Sequence, residues 1–308
     1  MNAESSRPLV AVTGASSQLG VFALPRLLEA GFAVVAVSRK APPAPVESAH
    51  KLWWAQPDAV VGDGDTPIGA LTDLVSFGPL HLACTIVESN PGIRRAVAFS
   101  TSSVASKQAS ENRAERRQVL GIAASEERLR ALCTRRSVPL LLLRPTLIYG
   151  CGMDGNVSLL RRFGERWGFI PLAGKAHGLR QPVHADDLAS LAVAALKAND
   201  PVEGRSEACG GSTLRYSDMV RRLAESCNRR VRLMRLPPWM MAAALDLLTL
   251  SSRWRSLNPE MVRRQNRNLV FDDSLLREKL GWDPRPFQPT PGDFELPEAA
   301  RQLQLPAP

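Results

Sequence analysis

The sequence predicts an α/β fold: a doubly wound parallel sheet with a smaller, mainly helical lobe towards the C-terminus. Three features carry that expectation. Near the start, LVAVTGASSQLG, VFALPRLLEAG and FAVVAVSRK read as a βαβ unit: an apolar strand, a small-residue turn, an apolar-periodic helix ended by Gly31, and a second β-branched strand. At 138–145, VPLLLLRP is apolar on both strand faces, as an interior parallel strand must be. The length, 308 residues, provides for one large α/β domain with a substantial core. Right-handed crossovers between such strands then place helices on both faces of the sheet.

The remaining elements follow in order. LWW at 52–54 reads as the third strand and TDLVSF at 72–77 as the fourth. The competing fourth strand, HLA at 81–83, lies too close to the fifth, RAVAFS at 95–100. A parallel crossover needs about a dozen residues, usually helical, and 79–89 supplies them when the fourth strand ends near Gly78. A serine-rich loop leads to a charged helix over about 113–136 and then to the sixth strand at 138–145. Residues 150–178 have the glycines and mixed character of an insertion. QPVHADDLASLAVAAL returns to a strand and a helix, with Asp186 or Asp187 near the helix N-terminus, where a carboxylate is favoured. Beyond Gly204, two amphipathic helices and a Pro- and Trp-bearing segment complete the smaller lobe. The expected division is therefore 1–150, joined by 178–204, for the sheet domain, and 151–177 with 205–308 for the lobe.

Composition excludes other classes. With 44% hydrophobic and 22% charged residues the chain is neither a disordered tail nor a collagen nor a disulfide miniprotein. Five cysteines (Cys84, Cys133, Cys151, Cys209, Cys227) form no CxxC and have no histidine at zinc spacing, so they read as reduced, buried thiols of a cytoplasmic protein, and no metal site is expected. The start, MNAESSRPLV, lacks the apolar core of a signal peptide. The longest apolar run, 239–250, is broken by Asp246 and is shorter than the roughly 20 residues of a membrane span. It reads as a core or interface helix, with docking on a partner or a membrane surface as the alternative.

The net charge is +9, from 39 basic and 30 acidic residues. Residues 161–267 hold 19 basic and 10 acidic side chains, whereas 1–160 hold 16 and 13, and 268–308 hold 4 and 7. A basic excess in one region attracts nucleic acid, an anionic membrane or a small anionic substrate. The arginines come in pairs, without long runs or interleaved aromatics, so nucleic acid is not expected and a solvated surface or an anionic small molecule is.

TGASSQLG at 13–20 follows a strand and opens a helix, the setting of a phosphate-binding loop. Gly14 permits the tight turn and Gly20 lets the helix pack on the sheet. Ser16, Ser17, Gln18 and Leu19 lie where helix N–H groups face a pyrophosphate. Ser17 stands where a middle glycine is usual. About twenty residues on, the second strand ends in Ser38, Arg39 and Lys40; a hydroxyl and two cations there suit a 2′-phosphate, so NADP is preferred over NAD.

Four stretches taken together resemble the extended short-chain dehydrogenase/reductases, in the NAD(P)-dependent nucleotide-sugar epimerase/dehydratase group: TGASSQLG, AVAFSTSS after the fifth strand, LLRPTLIYGCG after the sixth, and RQPVHADDLA. The likeness spans most of residues 8–230, with the ending LGWDPRPF beyond it. It implies a Rossmann-like fold and further dinucleotide contacts at Asp58 or Asp63, Gly78, Pro79, Ser100, Pro145, Thr146 and Leu147. It also implies a nucleotide sugar or similar anionic small molecule as substrate, met by Arg180 and His184, and a homodimer through the helices of the fourth and fifth crossovers.

In such enzymes a Ser or Thr after the fifth strand works with a Tyr-x-x-x-Lys on the next helix. Ser102 matches the hydroxyl, but no tyrosine occurs from 103 to 148, and the helix RRQVLGIAASEERL has no lysine. Aligning Glu126 or Glu127 with the family helix puts Gln118 or Val119 at the tyrosine and Ile122 or Ala123 at the lysine, and none of these transfers a proton. Lys107 and Tyr149 are the candidate replacements. Two readings follow: an oxidoreductase or epimerase-like enzyme with a nonstandard acid–base group, or a catalytically inactive dinucleotide-binding scaffold or redox-sensing accessory protein.

Overall fold

The computed structural model describes residues 8–39, 46–48, 51–61, 70–107, 110–241, 243 and 260–303. Its strands, in chain order, are β1 (Leu9–Thr13), β2 (Ala33–Val37), β3 (Val46–Ser48), β4 (Leu52–Ala55), β5 (Asp73–Ser76), β6 (Arg95–Phe99) and β7 (Leu140–Pro145). There follow β8 (Ile148–Tyr149), β9 (Phe169–Ala173), β10 (Leu179–Arg180), β11 (Val183–His184), β12 (Gly204–Ala208), β13 (Leu214–Arg215) and β14 (Arg232–Leu236). The main sheet runs β12-β7-β6-β5-β1-β2-β4-β3, with every pairing parallel except β3 on β4. β1, β2 and β7 are buried along their whole length, which is why they read as unbroken apolar runs.

Helices cover both faces. α1 (Gly20–Glu29) packs on α6 (Ala185–Lys197), and on the opposite face α2 (Leu80–Ser89) packs on α4 (Arg113–Arg135). Between them, α3 (Ser103–Ser106) is a single turn. Val10, Val12, Leu24 and Leu188 belong to one core layer, and Ala11, Val35, Leu74 and Leu129 to the other. α4 begins where the sequence places it because Asn112 caps it, its Oδ1 accepting from Ala114 N at 2.9 Å and Glu115 N at 3.1 Å. Among the described residues no helix is long and apolar enough to cross a membrane. The cysteines are free thiols; burial pushes Cys133 and Cys151 up to about 11 and Cys209 up to about 12.

The smaller lobe contains α5 (Val157–Trp167), α7 (Tyr216–Glu225), α8 (Glu260–Arg264) and the parallel pair β9–β14. Its core gathers Tyr149, Val157, Ile170, Leu172, Met219, Leu223 and Phe287.

The structure departs from the sequence reading in three places. Strand β3 was not anticipated: it is a three-residue antiparallel edge strand, held through pairing with β4 alone, and it follows a proline-rich stretch. Residues 204–208 pair with β7 and extend the main sheet, although the sequence reading begins the second part of the lobe at 205. Their composition, GRSEA, conceals this because an edge strand meets a neighbour on one side only. Beyond them, α9 (Ser274–Leu280) and α10 (Glu298–Gln302) come back to the sheet domain, where Leu276, Trp282 and Ala300 join the core layer beneath α1 and α6. Trp282 is fixed there by its indole N–H, which donates to Cys209 O and to Asp273, each at 3.1 Å.

Candidate functional site

The chain leaves β1 towards β2 and β4 on one side and later occupies β5 on the other. A crevice therefore opens at the carboxyl ends of β1 and β5, the topological switch point where ligands of open α/β sheets bind. Thr13 and Ser76 close its floor through a 2.9 Å hydroxyl–hydroxyl bond.

The 14–20 loop lies over this crevice. Gly14 takes φ +66°, and a Cβ there would stand 3.2 Å from Gly78 O and from Phe77 Cβ, so the turn after β1 and the turn after β5 touch. At Gly20 a Cβ would lie 2.2 Å from Ala15 O, which excludes any side chain. Ser17 folds back on the loop: its amide donates to Gly14 O at 2.9 Å and its Oγ accepts from Gly20 N at 3.2 Å. Ser17 thus replaces the usual middle glycine by acting as a turn brace. The amides of Ser16, Gln18 and Leu19 have no acceptor among the described residues, and α1 has no side-chain cap. N–H groups without acceptors at the positive end of a ten-residue helix provide the donors and the field that favour an anion. Gln18, however, is spent on structure, its Nε2 donating to Gly150 O at 2.9 Å.

The other expected dinucleotide contacts distribute around the same edge. Ser38 follows β2, its Oγ 3.1 Å from Ser16 Oγ, and the exposed Arg39 comes next. Lys40 and Asp63 lie outside the described residues. Asp58 is exposed on a 3-10 turn (Pro57–Ala59) after β4, two strands away from β1. Gly78 and Pro79 follow β5, Ser100 follows β6, and Pro145 ends β7. Ser100 Oγ is buried with no hydrogen-bond partner, an orphan hydroxyl at the mouth of the crevice. Thr146 is turned away: its amide donates to Ala208 O at 3.1 Å and its hydroxyl to Gln181 O. Leu147 packs against the lobe core.

Ser102 opens α3, with its amide donating to Pro145 O at 3.1 Å. Lys107 sits at the other end of that turn, and its Nζ is 3.5 Å from Glu115 Oε1. Glu115 in turn accepts from Arg264 Nη1 at 2.8 Å, from Arg264 Nη2 at 3.1 Å and from Ser110 Oγ at 2.9 Å. This cluster of Lys107, Glu115 and Arg264 ties the lobe to the start of α4. Glu115 and Arg264 carry no signal in the sequence, because the two partners are 149 residues apart.

Three candidates are committed to structure. Tyr149 is buried between the rings of His184 and Phe287, each centroid 4.9 Å away. Burial, with the Asp293 and Asp187 carboxylates adding to it, drives its pKa far above the ordinary phenol value. A phenol held neutral inside the core makes a poor replacement for an activated tyrosine. His184 caps α6: its Nδ1 accepts from Asp186 N at 3.1 Å, and its Nε2 faces Asp293 Oδ1 at 3.4 Å. Arg180, expected to grip a diphosphate, is buried and donates to Leu179 O and Arg267 O, each at 2.7 Å, and to Arg264 O. A buried guanidinium must satisfy its N–H groups, and these carbonyls take both Nη1 hydrogens and one on Nη2, tying Arg180 to the main chain of the lobe. Burial pushes its pKa down.

On α4, Gln118 is exposed, Val119 is buried and Ile122 and Ala123 are half-buried. Glu126 makes a buried, bidentate pair with Arg144 of β7. That pair fixes the rotation of α4 and leaves no acid–base group at the two aligned positions.

No protein-family model matches the chain. Among curated proteins, UDP-glucose 4-epimerase from Vibrio cholerae is 24% identical over 160 residues, covering 52% of this chain and 46% of that protein. Uncharacterized protein y4nG from Sinorhizobium fredii is 31% identical over 153 residues, 49% of this chain and 37% of that protein. The matched stretch therefore spans less than half the length of either relative. Among solved structures, MoeE5 in complex with UDP-glucuronic acid and NAD aligns with TM-score 0.65 and 19% identity, over 90% of this chain and 94% of that one. UDP-glucuronic acid 4-epimerase from Bacillus cereus with NAD gives 0.67 and 15%, over 96% and 99%. UDP-glucose 4-epimerase from Thermotoga maritima with UDP-glucose gives 0.65 and 15%, over 96% and 98%. The fold is that of the Rossmann-like UDP-sugar epimerases.

Proposed function

We propose that the chain binds a nicotinamide dinucleotide across the switch-point crevice and acts on a nucleotide sugar with epimerase- or dehydratase-like chemistry. The observation that carries this reading is the start of α1, where the amides of Ser16, Gln18 and Leu19 have no acceptor among the described residues, in a loop whose Gly14 meets the turn at Gly78. The printed ligands of the structural neighbours, NAD together with UDP-glucuronic acid or UDP-glucose, support the same pairing of cofactor and substrate.

When bound, the dinucleotide supplies a hydride acceptor and donor. The chain's own groups do the rest. The α1 amides hold the pyrophosphate, and the Gly14 turn lets it approach the main chain. Ser38 and Arg39 hold a 2′-phosphate, which makes NADP the preferred form. Ser100, which follows β6 and whose buried hydroxyl has no partner among the described residues, would hydrogen-bond the nicotinamide portion. Ser102 hydrogen-bonds the reacting substrate oxygen, and Lys107, held by Glu115, exchanges the proton that a tyrosine handles elsewhere.

Fluorescence titration with NADPH and NADH, followed by turnover assays with UDP-glucose and UDP-glucuronic acid, tests this. The expected result is NADPH binding at least about tenfold tighter than NADH, with Arg39→Ala removing the preference, and turnover abolished in Ser102→Ala and Lys107→Met without loss of dinucleotide binding. Failure to bind either dinucleotide overturns the reading. Tight binding with no turnover on any nucleotide sugar removes the enzyme and leaves a dinucleotide-binding scaffold.

A further inference from the structure

The basic excess of residues 161–267 has a spatial focus that the crevice does not use. Residues 228–241, NRRVRLMRLPPWMM, hold Arg229, Arg230, Arg232 and Arg235 and no acidic residue. All four arginines are exposed, and among the described residues none of them forms an ion pair. Arg229 instead lies along the end of α5, donating to Glu165 O at 3.1 Å. The local acid, Glu165, is held by Arg161 at 2.8 Å.

Large apolar side chains stand out from this same ribbon. Trp239 is 72% exposed, Trp167 56%, Met240 42% and Met234 40%, four of the six exposed large hydrophobics among the described residues. Met234 lies in β14, Trp167 ends α5, and Trp239 and Met240 lie in the helical turn that follows Pro237. In β14, Leu233 packs towards the lobe core, so Arg232, Met234 and Leu236 share the outward face. Arg232 N donates to Gly168 O, which sets Trp167 beside the start of β14, while Trp239 follows its end. The two tryptophans thus flank the two ends of β14, a five-residue strand about 15 Å long at the rise of a β-strand. Arg166 rests over the Trp167 ring at 5.4 Å, and exposed Lys175 adds a cation near the Trp239 end.

We infer that this ribbon docks the protein on an anionic lipid surface. Tryptophans with methionines between them, set among unpaired arginines, match a bilayer interface: the rings and thioethers enter the headgroup boundary while the guanidiniums meet lipid phosphates. Nucleic acid is the poorer fit, because between the two tryptophans β14 presents Met234 and Leu236 where successive bases would need a run of aromatic rings. The crevice lies at the carboxyl edge of the main sheet and the ribbon on the lobe, so docking leaves dinucleotide binding intact.

The test is co-sedimentation of the full chain with phosphatidylcholine vesicles, with and without about one-third phosphatidylglycerol, at about 0.1 M salt. The expected result is binding to the anionic vesicles only, weakened by added salt. Arg230→Glu with Arg232→Glu lowers the partition coefficient at least about tenfold, and Trp239→Ser lowers it while salt dependence remains. The same charge change placed on α4, Arg113→Glu with Arg117→Glu, leaves most of the binding. Circular dichroism melts confirm that each variant is folded. Absence of binding to anionic vesicles overturns the inference. So does an equal loss in the α4 variant, or tighter binding to a duplex DNA oligonucleotide than to vesicles at the same salt.

Discussion

Glu115 on the first turn of α4 and Arg264 in the smaller lobe meet through two hydrogen bonds, of 2.8 and 3.1 Å, with both side chains about 15% exposed. The pair fastens the lobe against the end of the crevice where Ser102 and Lys107 stand.

Breaking it should loosen that closure. Arg264→Ala leaves Glu115 with Lys107 and Ser110, and the expected loss is about 1–3 kcal/mol, as for a charged hydrogen-bond pair largely out of water. A double-mutant cycle with Glu115→Ala, read by urea denaturation, should give a coupling energy above about 0.5 kcal/mol. A coupling near zero refutes the link.

Two glycine-to-alanine changes should act in opposite directions. At Gly20 a Cβ meets main-chain oxygens, Ala15 O at 2.2 Å and Gly14 O at 2.6 Å, which cannot swing aside. Gly20→Ala is expected to lose about 1–3 kcal/mol of stability and to distort the phosphate loop, so that NADPH titration shows weakened binding. At Gly121, in the middle of α4, a Cβ meets nothing within 4 Å. Gly121→Ala should therefore gain up to about 1 kcal/mol in thermal or urea unfolding.

The buried Arg144–Glu126 pair predicts an asymmetric outcome. Glu126→Ala strands the guanidinium with only Glu207 nearby, at 3.8 Å, and should cost about 3–5 kcal/mol. Replacing both partners by apolar residues should restore part of that loss, because no charge is then left buried. Denaturation midpoints of the single and double variants distinguish these outcomes.

Asp293 makes an acid-limb prediction. Burial pushes its carboxyl up, but His184 and the Thr290 amide and hydroxyl outweigh this and hold it at about 2, against 3.8 for a free aspartate. A folded pKa below the unfolded value means the contribution is present above about pH 4 and is lost as pH falls towards 2, by an amount on the order of 2 kcal/mol. Asp293→Asn should flatten the stability profile in that window. An unchanged profile between wild type and variant contradicts the assignment.

Much of this architecture is local and so legible from residues alone. The βαβ start, the choice of 72–77 over 81–83 as a strand and the helix beginning after Asn112 all follow from apolar period, crossover length and capping chemistry, which act over a few residues. The 14–20 loop is legible for the same reason, since Gly14 takes a φ of +66° and Gly20 meets the Ala15 and Gly14 carbonyls within the loop itself. By contrast, strand β12 looks polar because it is an edge, and the return of Leu276 and Trp282 to the sheet core leaves no periodic mark. Which side chains are free to act was decided by tertiary contacts. Arg180 looks like an anion clamp until three carbonyls occupy it, Tyr149 looks like a spare phenol until His184 and Phe287 enclose it, and Glu115 gains significance only when Arg264 arrives from 149 residues away. Apolar pattern and turn chemistry settle the inner strands of the sheet and the 14–20 turn, because those depend on short-range backbone and burial preferences. Which charged and hydroxyl groups are already satisfied emerges only in the folded chain, because their partners are distant in sequence.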